Sequence, residues 1–129
     1  MAYPATGAAP GNGLGGGGLE IREERRGEAV VMTLQGELDL RSAPRLRVQL
    51  ADAVRHSEGD VIVDMCDVGF IDSTGLAALL NALRRLTRAR RHLMLVCVEG
   101  SVTRILRLTR LDTTFTLCSS VDEALALAA

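Results

Sequence analysis

The chain has 129 residues, a formal net charge of −1 at neutral pH, and 15 basic residues, all of which are arginine. This length fits a single domain, and the near-neutral charge offers no general attraction to nucleic acid or to an anionic membrane. Because the longest apolar runs are far too short to span a bilayer, we expect a soluble, cytoplasmic protein.

The first eighteen residues differ in composition from the rest. They are rich in Gly, Ala and Pro, and they end in consecutive glycines at positions 15–18. Such a segment cannot bury enough apolar surface to offset its ordering entropy. It also lacks the charged start and the apolar centre of a secretory signal. The composition therefore predicts a flexible tail over residues 1–18 and one folded domain over residues 19–129.

Hydrophobic periodicity in the remaining residues predicts alternating strands and helices. Short β-forming or apolar runs predict strands at Leu19–Arg26, Ala29–Gln35, Asp60–Met65, Leu93–Val98 and Thr114–Leu117. Apolar residues at helical spacing predict helices that follow start signals at Ser42, Asp72–Ser73, Gly100–Ser101 and Ser120–Glu123. We expect the first two strands to form a hairpin and the second helix to reach about Arg90. The order β-β-α-β-α-β-α-β-α predicts an α/β fold, with helices covering a mostly parallel or mixed sheet.

Two strand-to-helix turns contain the residues most suited to a functional site. In sheets of this class, functional residues tend to lie beyond the carboxyl ends of strands, as the turns at Gly36–Asp39 and Ile71–Gly75 do. Asp72 and Ser73 are both strong N-cap residues for the second helix. Gly75 falls in the first turn of that helix, where glycine costs about 1 kcal/mol relative to alanine. We therefore expect something to approach the Gly75 backbone closely.

These turns also resemble a family signature. The sequence Gly-Glu-Leu-Asp at 36–39, followed by Phe-Ile-Asp-Ser-Thr-Gly-Leu at 70–76, is similar to the paired motifs of the STAS domain and most similar to its anti-sigma factor antagonists. Phe115 and residues 120–125 also match that family's closing pattern. The resemblance covers the chain from Leu19 onward. It implies a single STAS-like α/β domain, with a mixed sheet of about five strands and about four helices.

The resemblance also implies a function. In this bacterial family the antagonist binds an anti-sigma factor that is also a serine kinase, which frees a sigma factor for stress-response or sporulation transcription. The serine directly after the aspartate is the phosphoacceptor, here Ser73; phosphorylation ends the binding, and a phosphoserine phosphatase is the further partner. Thr74, one residue later, ranks below Ser73 as an acceptor. The residues implied to face the partner are Asp39, Asp72, Ser73, Thr74, Gly75 and Leu76. Close approach of the kinase would then account for Gly75.

One position departs from the family. Where the family often has glycine before the leucine of the segment Leu108–Leu111, this chain has Arg110. If that position closes the third helix in a left-handed conformation, arginine fits it less well than glycine. The departure concerns local geometry and partner specificity, and it leaves the phosphorylation switch intact.

An enzyme and a metal site are the first alternatives. Ser73 does not lie in a G-x-S-x-G motif, and no pattern pairs His56 or His92 with it as a base, so we predict no catalytic residue and no cofactor. A metal site could be assembled from aspartates at strand ends, although such residues usually serve turns and helix caps; the candidates are Asp39, Asp64, Asp67 and Asp72.

Three further interpretations concern arginine, cysteine and signalling output. A basic run near the end of the second helix lacks interleaved aromatic residues, so we interpret it as a solvated face that complements the helix dipole and not as a nucleic-acid site; it comprises Arg84, Arg85, Arg88, Arg90 and Arg91. The cysteines are interpreted as buried reduced thiols: Cys66, Cys97 and Cys118.

The remaining alternative is a STAS domain that scaffolds a larger signalling complex, or binds a small ligand, without a sigma factor as output.

Overall fold

The computed structural model describes residues 18–97 and 99–128, and within these ranges the chain forms five strands and four helices. In chain order they are β1 (Leu19–Arg26), β2 (Ala29–Leu38), α1 (Ala43–Arg55), β3 (Val61–Ile71), α2 (Ser73–Arg88), β4 (Leu93–Val96), α3 (Ser101–Leu108), β5 (Thr116–Cys118) and α4 (Val121–Ala128). Residues 1–17 of the predicted flexible tail, and Val98 at the end of the predicted fourth strand, lie outside the described residues.

The strands form one mixed sheet in the order β1-β2-β3-β4-β5. β1 pairs with β2 as an antiparallel hairpin, whereas the strands from β2 to β5 are parallel neighbours. This topology confirms the predicted α/β class and the predicted hairpin. Because helices connect the parallel strands, the carboxyl ends of these strands lie at the same end of the sheet, and the turns after β2 and β3 meet there.

β2 and β3 extend further than the sequence pattern predicts. β2 continues past Gln35 to Leu38, and β3 continues past Met65 to Ile71. The two strands stay paired to their ends, where Leu38 lies opposite Ile71, although the register shifts twice on the way. Polar residues and glycines interrupt the apolar pattern here, so pairing between the strands, and not local periodicity, maintains the extension. As a result β3 ends directly before Asp72.

Gly36 allows β2 to continue past the start of β1. Its φ angle is +124°, and a Cβ atom at this position would lie 2.1 Å from the carbonyl oxygen of Gly18. The N–H of Glu37 donates to that same carbonyl at 3.0 Å. Only glycine fits this close backbone contact without a rearrangement of both strands.

The two faces of the sheet are covered unequally. Helices α1, α2 and α3 pack on one face and form the main core, whose fully buried leucines include Leu46, Leu50, Leu79, Leu86 and Leu106. Among the described elements, only α4 covers the other face, where Ala124 packs on a smaller cluster formed by Ala29, Val31, Ile62, Met94, Val96 and Cys118. The apolar run at the start of β3, Val61–Val63, is buried on both faces, which confirms the prediction made for it.

The C-terminal end of α3 has the geometry expected from its sequence departure. Arg110 has a φ angle of +62°, in the left-handed region, and its N–H donates to the Arg107 carbonyl at 3.1 Å. The N–H of Leu111 donates to the Leu106 carbonyl at 2.8 Å, which completes a Schellman motif. A non-glycine residue in this conformation costs roughly 1–2 kcal/mol. Arg90 after α2 has the same φ angle, so two helices of this chain end with an arginine where glycine fits best.

β5 begins later than predicted. The N–H groups of Thr114 and Phe115, which the sequence pattern assigns to this strand, both donate to the Leu111 carbonyl, at 3.0 and 3.1 Å. These bonds close the turn after α3 and confine the strand to Thr116–Cys118. The ends of α2 and β4 differ from their predicted positions by about two residues, the usual uncertainty of an element boundary.

Candidate functional site

The two turns singled out from the sequence lie side by side. Each follows one of two neighbouring parallel strands, and the N–H of Asp72 donates to the carbonyl of Leu38 at 3.2 Å. The backbone N–H of Leu40, in the turn after β2, also lowers the pKa of the Asp72 carboxyl group. The backbone of one turn is thus bonded to the aspartate of the other, and the two form one surface.

Asp72 caps the N-terminus of α2, as predicted. Its Oδ1 atom accepts from the N–H groups of Thr74 and Gly75, at 2.9 and 3.1 Å, and from the Thr74 hydroxyl at 2.5 Å. The Thr74 hydroxyl is the main cause of a lowered pKa for Asp72, and the backbone N–H groups of Gly75, Thr74 and Leu40 lower this pKa further. A carboxylate with this many donors stays ionised at neutral pH. The start of α2 therefore holds a fixed negative charge.

Ser73 is the first residue of α2 and is exposed to solvent. Within the described part of the chain, no group hydrogen-bonds to its hydroxyl. The neighbouring Thr74 is half-buried, and its hydroxyl is already donated to Asp72. Of the two hydroxyl groups at this helix start, that of Ser73 is the one available to a reagent from solvent.

Gly75 is buried, and the group that approaches it belongs to the same chain. A Cβ atom at this position would lie 2.6 Å from Cγ of Leu38 and 2.9 Å from the Leu38 carbonyl oxygen. The close approach expected at Gly75 is therefore made by the end of β2, which accounts for this glycine without a kinase. Leu76, next in the chain, is also buried, at 8% exposure. Of the six residues predicted to face a partner, these two lie beneath the surface.

Asp39 and Ser42 hold the turn after β2 in shape. Asp39 Oδ1 accepts from the N–H groups of Arg41 and Ser42, at 3.0 and 3.3 Å. The Ser42 hydroxyl accepts from the Asp39 N–H at 3.0 Å and donates to the Glu37 carbonyl at 2.8 Å. Ser42 stands at the N-cap of α1, as its start signal predicts, but its side chain makes no capping bond to the helix. The Asp39 side chain is only 16% exposed and offers a partner a limited contact.

Two exposed apolar side chains lie on the segments that form the site, and the sequence analysis assigns neither of them a role. Leu40 is 68% exposed in the turn after β2, where it directly follows Asp39, and Phe70 is 47% exposed near the end of β3, two residues before Asp72. Exposed large apolar side chains that accompany polar residues are a feature of protein-binding surfaces. The sequence signal that could have identified these two residues is their position at strand ends, outside the periodic apolar pattern. We call the exposed part of this region the Ser73 surface: Asp39, Leu40, Phe70, Asp72, Ser73 and Thr74.

The histidines lie too far from Ser73 to act as its base. His92 Nδ1 lies 3.4 Å from Asp60 Oδ1. Asp60 directly precedes β3 and His92 directly precedes β4, so both lie at the amino ends of these strands, whereas Ser73 follows the carboxyl end of β3. His56 ends α1, also at the amino end of β3. β3 has 11 residues and so spans about 35 Å between these positions. This separation argues against a Ser-His nucleophile.

Three of the four aspartates proposed as alternative metal ligands bond to backbone N–H groups instead. Asp39 and Asp72 accept from N–H groups of their own turns, and Asp64 accepts from the Cys66 N–H at 3.0 Å. No group of three or more His, Cys, Asp or Glu side chains among the described residues has an arrangement that could hold a metal ion.

Two predictions about single residue types need correction. Cys66 is exposed and not buried, because its strand runs on past the end of β4; partial desolvation and Asp64 nevertheless raise the pKa of its thiol to about 12. Cys97 and Cys118 are buried as predicted. Arg91 is not part of a solvated face, since its guanidinium donates to the Val54 carbonyl in α1, and to the Ser57 hydroxyl and the Gly59 carbonyl after it.

Comparisons with known proteins agree with this fold. A family model described as STAS domain matches residues 20–124. An anti-sigma-B factor antagonist of Listeria monocytogenes is 29% identical over 95 residues, which are 73% of this chain and 82% of the relative. The crystal structure of an anti-sigma factor antagonist from Mycobacterium paratuberculosis has a TM-score of 0.78 at 26% identity, covering 86% of this chain and 94% of that one. The Bacillus cell fate determinant SpoIIAA in its phosphorylated form shares the fold, with a TM-score of 0.68 at 20% identity, covering 85% and 100%.

No helix of the described ranges combines the length and the apolar character that a membrane span requires.

Proposed function

Because this chain belongs to the STAS domain family, we propose that it is an anti-sigma factor antagonist controlled by phosphorylation of Ser73. In its unphosphorylated form it binds an anti-sigma factor that is also a serine kinase, which leaves a sigma factor free to bind RNA polymerase. Phosphorylation by that kinase ends the binding, and a phosphoserine phosphatase restores it. The protein then acts in the bacterial cytoplasm, where sigma factors act.

One observation carries the proposal: the Ser73 hydroxyl is exposed and unbonded at the first residue of α2, directly after the capping Asp72. A kinase must place this hydroxyl in line with the terminal phosphate of ATP, which requires access from solvent. The names of the Listeria and Mycobacterium relatives support the assignment to anti-sigma factor antagonists.

The domain itself should tolerate the phosphate. A phosphoserine carries a charge between about −1.5 and −2. At the start of α2 this charge meets the positive end of the helix dipole, an interaction worth about 1 kcal/mol that offsets repulsion from Asp72. The structure of SpoIIAA in its phosphorylated form, which shares this fold, supports this expectation. We therefore expect no refolding of α2 on phosphorylation.

We expect a phosphate on Ser73 to weaken the interface with the partner. The Ser73 surface combines apolar side chains, Leu40 and Phe70, with one fixed negative charge at Asp72. Burying a dianion there without a cationic partner costs several kcal/mol, and each 1.4 kcal/mol is a factor of ten in affinity. This penalty exceeds the gain at the helix end, so phosphorylation acts by destabilising the complex and not by changing the fold.

The same geometry divides the predicted partner-facing residues. Asp39, Asp72, Ser73 and Thr74 reach the surface to different extents and can contact the anti-sigma factor directly. Gly75 and Leu76 act from beneath, by keeping the end of β2 packed against the start of α2. Leu40 and Phe70 supply the apolar contact area that the motif residues lack.

The test is incubation of the full chain with ATP and each anti-sigma factor kinase of the same genome, followed by peptide mass spectrometry. A phosphate mapped to Ser73, absent from Ser73→Ala and still present in Thr74→Val, is the expected result. Modification of Thr74 alone would overturn the assignment of the acceptor. No modification by any of these kinases would favour the alternative of a STAS scaffold without a sigma factor as output.

A further inference from the structure

The outer edge of the sheet is β1, which pairs with β2 alone among the described strands. Two bonds show which of its backbone groups point outward. Val30, opposite Arg25, donates its N–H to Asp60 and not to β1, at 3.1 Å, and the Leu19 carbonyl accepts from the Arg45 side chain. Hydrogen-bonded and non-hydrogen-bonded positions alternate along an antiparallel pair. The backbone N–H and C=O groups of every second residue of β1, which include Ile21, Glu23 and Arg25, therefore face away from β2.

The residues between these positions carry alternating charges. Glu20, Arg22, Glu24 and Arg26 all lie on the face of the sheet that α4 covers, and three of them line a shallow groove beside Val121. The Arg26 guanidinium is 3.2 Å from the Glu24 carboxylate. The edge of the sheet thus presents outward backbone groups together with a row of side chains in the order acid, base, acid, base.

We propose that this edge pairs with the same edge of a second copy of the chain, antiparallel about a two-fold axis at Glu23. In that register Glu20 lies opposite Arg26 of the second copy, and Arg22 lies opposite Glu24 of the second copy; the axis generates each pair twice. These are non-hydrogen-bonded positions, where side chains of opposite residues come closest. The outward groups of Ile21, Glu23 and Arg25 supply the backbone hydrogen bonds, and the two sheets become continuous.

The charges favour this register over its two nearest alternatives. A two-fold axis at Arg22 places Arg22 opposite its own copy and Glu20 opposite Glu24. An axis at Glu24 places Glu24 opposite its own copy and Arg22 opposite Arg26. Like charges directly opposite are destabilising, so both alternatives are disfavoured. With the axis at Glu23, one like-charged pair remains, that of Glu23 with Glu23 of the second copy. This pair is at a hydrogen-bonded position, where opposite Cα atoms are further apart, and Arg25 of the second copy lies diagonally across from it.

This edge differs from one that is protected against pairing. Natural sheets often block edge strands with charges, because strands of one sign repel each other. Here the alternation of sign makes the edge complementary to itself. The contact is short compared with stable interfaces of about 1,200 Å² or more, so we expect a dimer that is populated at high protein concentration and weakened by salt.

Sedimentation velocity of the full chain over a range of concentration and salt tests the dimer. Arg22→Glu with Arg26→Glu gives an all-acidic row, and Glu20→Arg with Glu24→Arg gives an all-basic row. We expect each double variant to dimerise at least about tenfold more weakly than the wild type, and their mixture to form a heterodimer. A wild-type chain that stays monomeric at all concentrations, or a dimer unaffected by either double variant, would overturn the proposal. Circular dichroism confirms that the variants fold.

Cross-linking tests the register. In a Cys66→Ser background, Glu23→Cys places two thiols at the axis, where the Cα separation of about 5.5 Å suits a disulfide. The matched control Glu20→Cys places the thiols far apart, because residue 20 faces residue 26 of the second copy. A covalent dimer from Glu23→Cys and none from Glu20→Cys is expected, and the reverse pattern would refute this register. Phosphorylation of Ser73 is measured separately, so either proposal can fail without the other.

Discussion

The turns after β2 and β3 both place an aspartate and a serine at the start of a helix, yet the two serines have opposite environments. Ser42 is 6% exposed, and its hydroxyl bonds to the Asp39 N–H and the Glu37 carbonyl. Ser73 is exposed, and no described residue bonds to its hydroxyl. Residue type alone therefore does not identify an accessible serine at a helix start, and the two turns also differ in the spacing between aspartate and serine.

The spacing acts through the position of the helix start. Both aspartates accept from the N–H groups two and three residues along the chain. After Asp39, however, residues 40–42 form a turn before α1 begins, and Ser42 is buried at the end of that turn, whereas α2 begins directly after Asp72 and Ser73 occupies its first position. The side chain at that position projects from the helix end and is not packed beneath it.

The largest expected effect concerns a charge at Ser73. Ser73→Glu should bind the anti-sigma factor at least about 100-fold more weakly than Ser73→Ala, because the added carboxylate is desolvated in the interface beside Asp72. Isothermal titration calorimetry measures both affinities. Ser101→Glu, which adds the same charge at the first residue of α3, is the control and should bind normally. Equal affinities for the two Ser73 variants would refute the electrostatic account.

A methyl group at Gly75 should destabilise the contact between the two turns. Gly75→Ala brings Cβ against the Leu38 side chain and carbonyl, and overpacking of this kind costs roughly 1–3 kcal/mol. Urea denaturation measures the free energy of unfolding. Gly75→Ala should cost less in a Leu38→Ala background than in the wild type, because that background lacks the nearer of the two contacts. A change below about 0.5 kcal/mol in the single variant would contradict this packing.

Removal of each serine hydroxyl compares the two turns directly. Ser42→Ala leaves the buried Asp39 N–H and the Glu37 carbonyl without a partner and should lower the free energy of unfolding by about 1–3 kcal/mol. Ser73→Ala removes a group that bonds to no described residue and should change stability by less than about 0.5 kcal/mol. The same denaturation measurement serves for both. Equal losses would mean that Ser73 is a structural residue.

The smallest effect is the pH dependence associated with Asp72. Its pKa is lowered in the folded state, first by the Thr74 hydroxyl, so the stabilisation is present above the unfolded pKa of about 3.9 and is lost as pH falls through the folded pKa. Relative to Asp72→Asn, the wild type should therefore be favoured at neutral pH and lose that advantage in acid. The difference should stay below about 1 kcal/mol, since the site is partly solvated. An advantage that grows as pH falls would contradict the assigned cause.

Local pattern was sufficient for the order of elements and for much of the site. Apolar period and β-forming runs predicted each strand and helix, because both signals depend on residues within a few positions of each other. The cap at Asp72 was equally local, since its bonds reach only two and three residues along the chain. The left-handed conformation at Arg110 was expected from the resemblance, since the family often has glycine at that position.

Contacts between distant segments decided the rest. The sequence could not show that Leu38 packs on Gly75, because the two residues lie on different strand-to-helix turns. Nor could it show the exposure of Leu40, Phe70 and Cys66, which depends on where neighbouring strands end. The sequence by itself determined the α/β order and the position of Ser73 at a helix start, since hydrogen bonds along the chain control these. Only the tertiary structure separated an accessible serine from a buried one, because burial is a property of the surroundings and not of the residue.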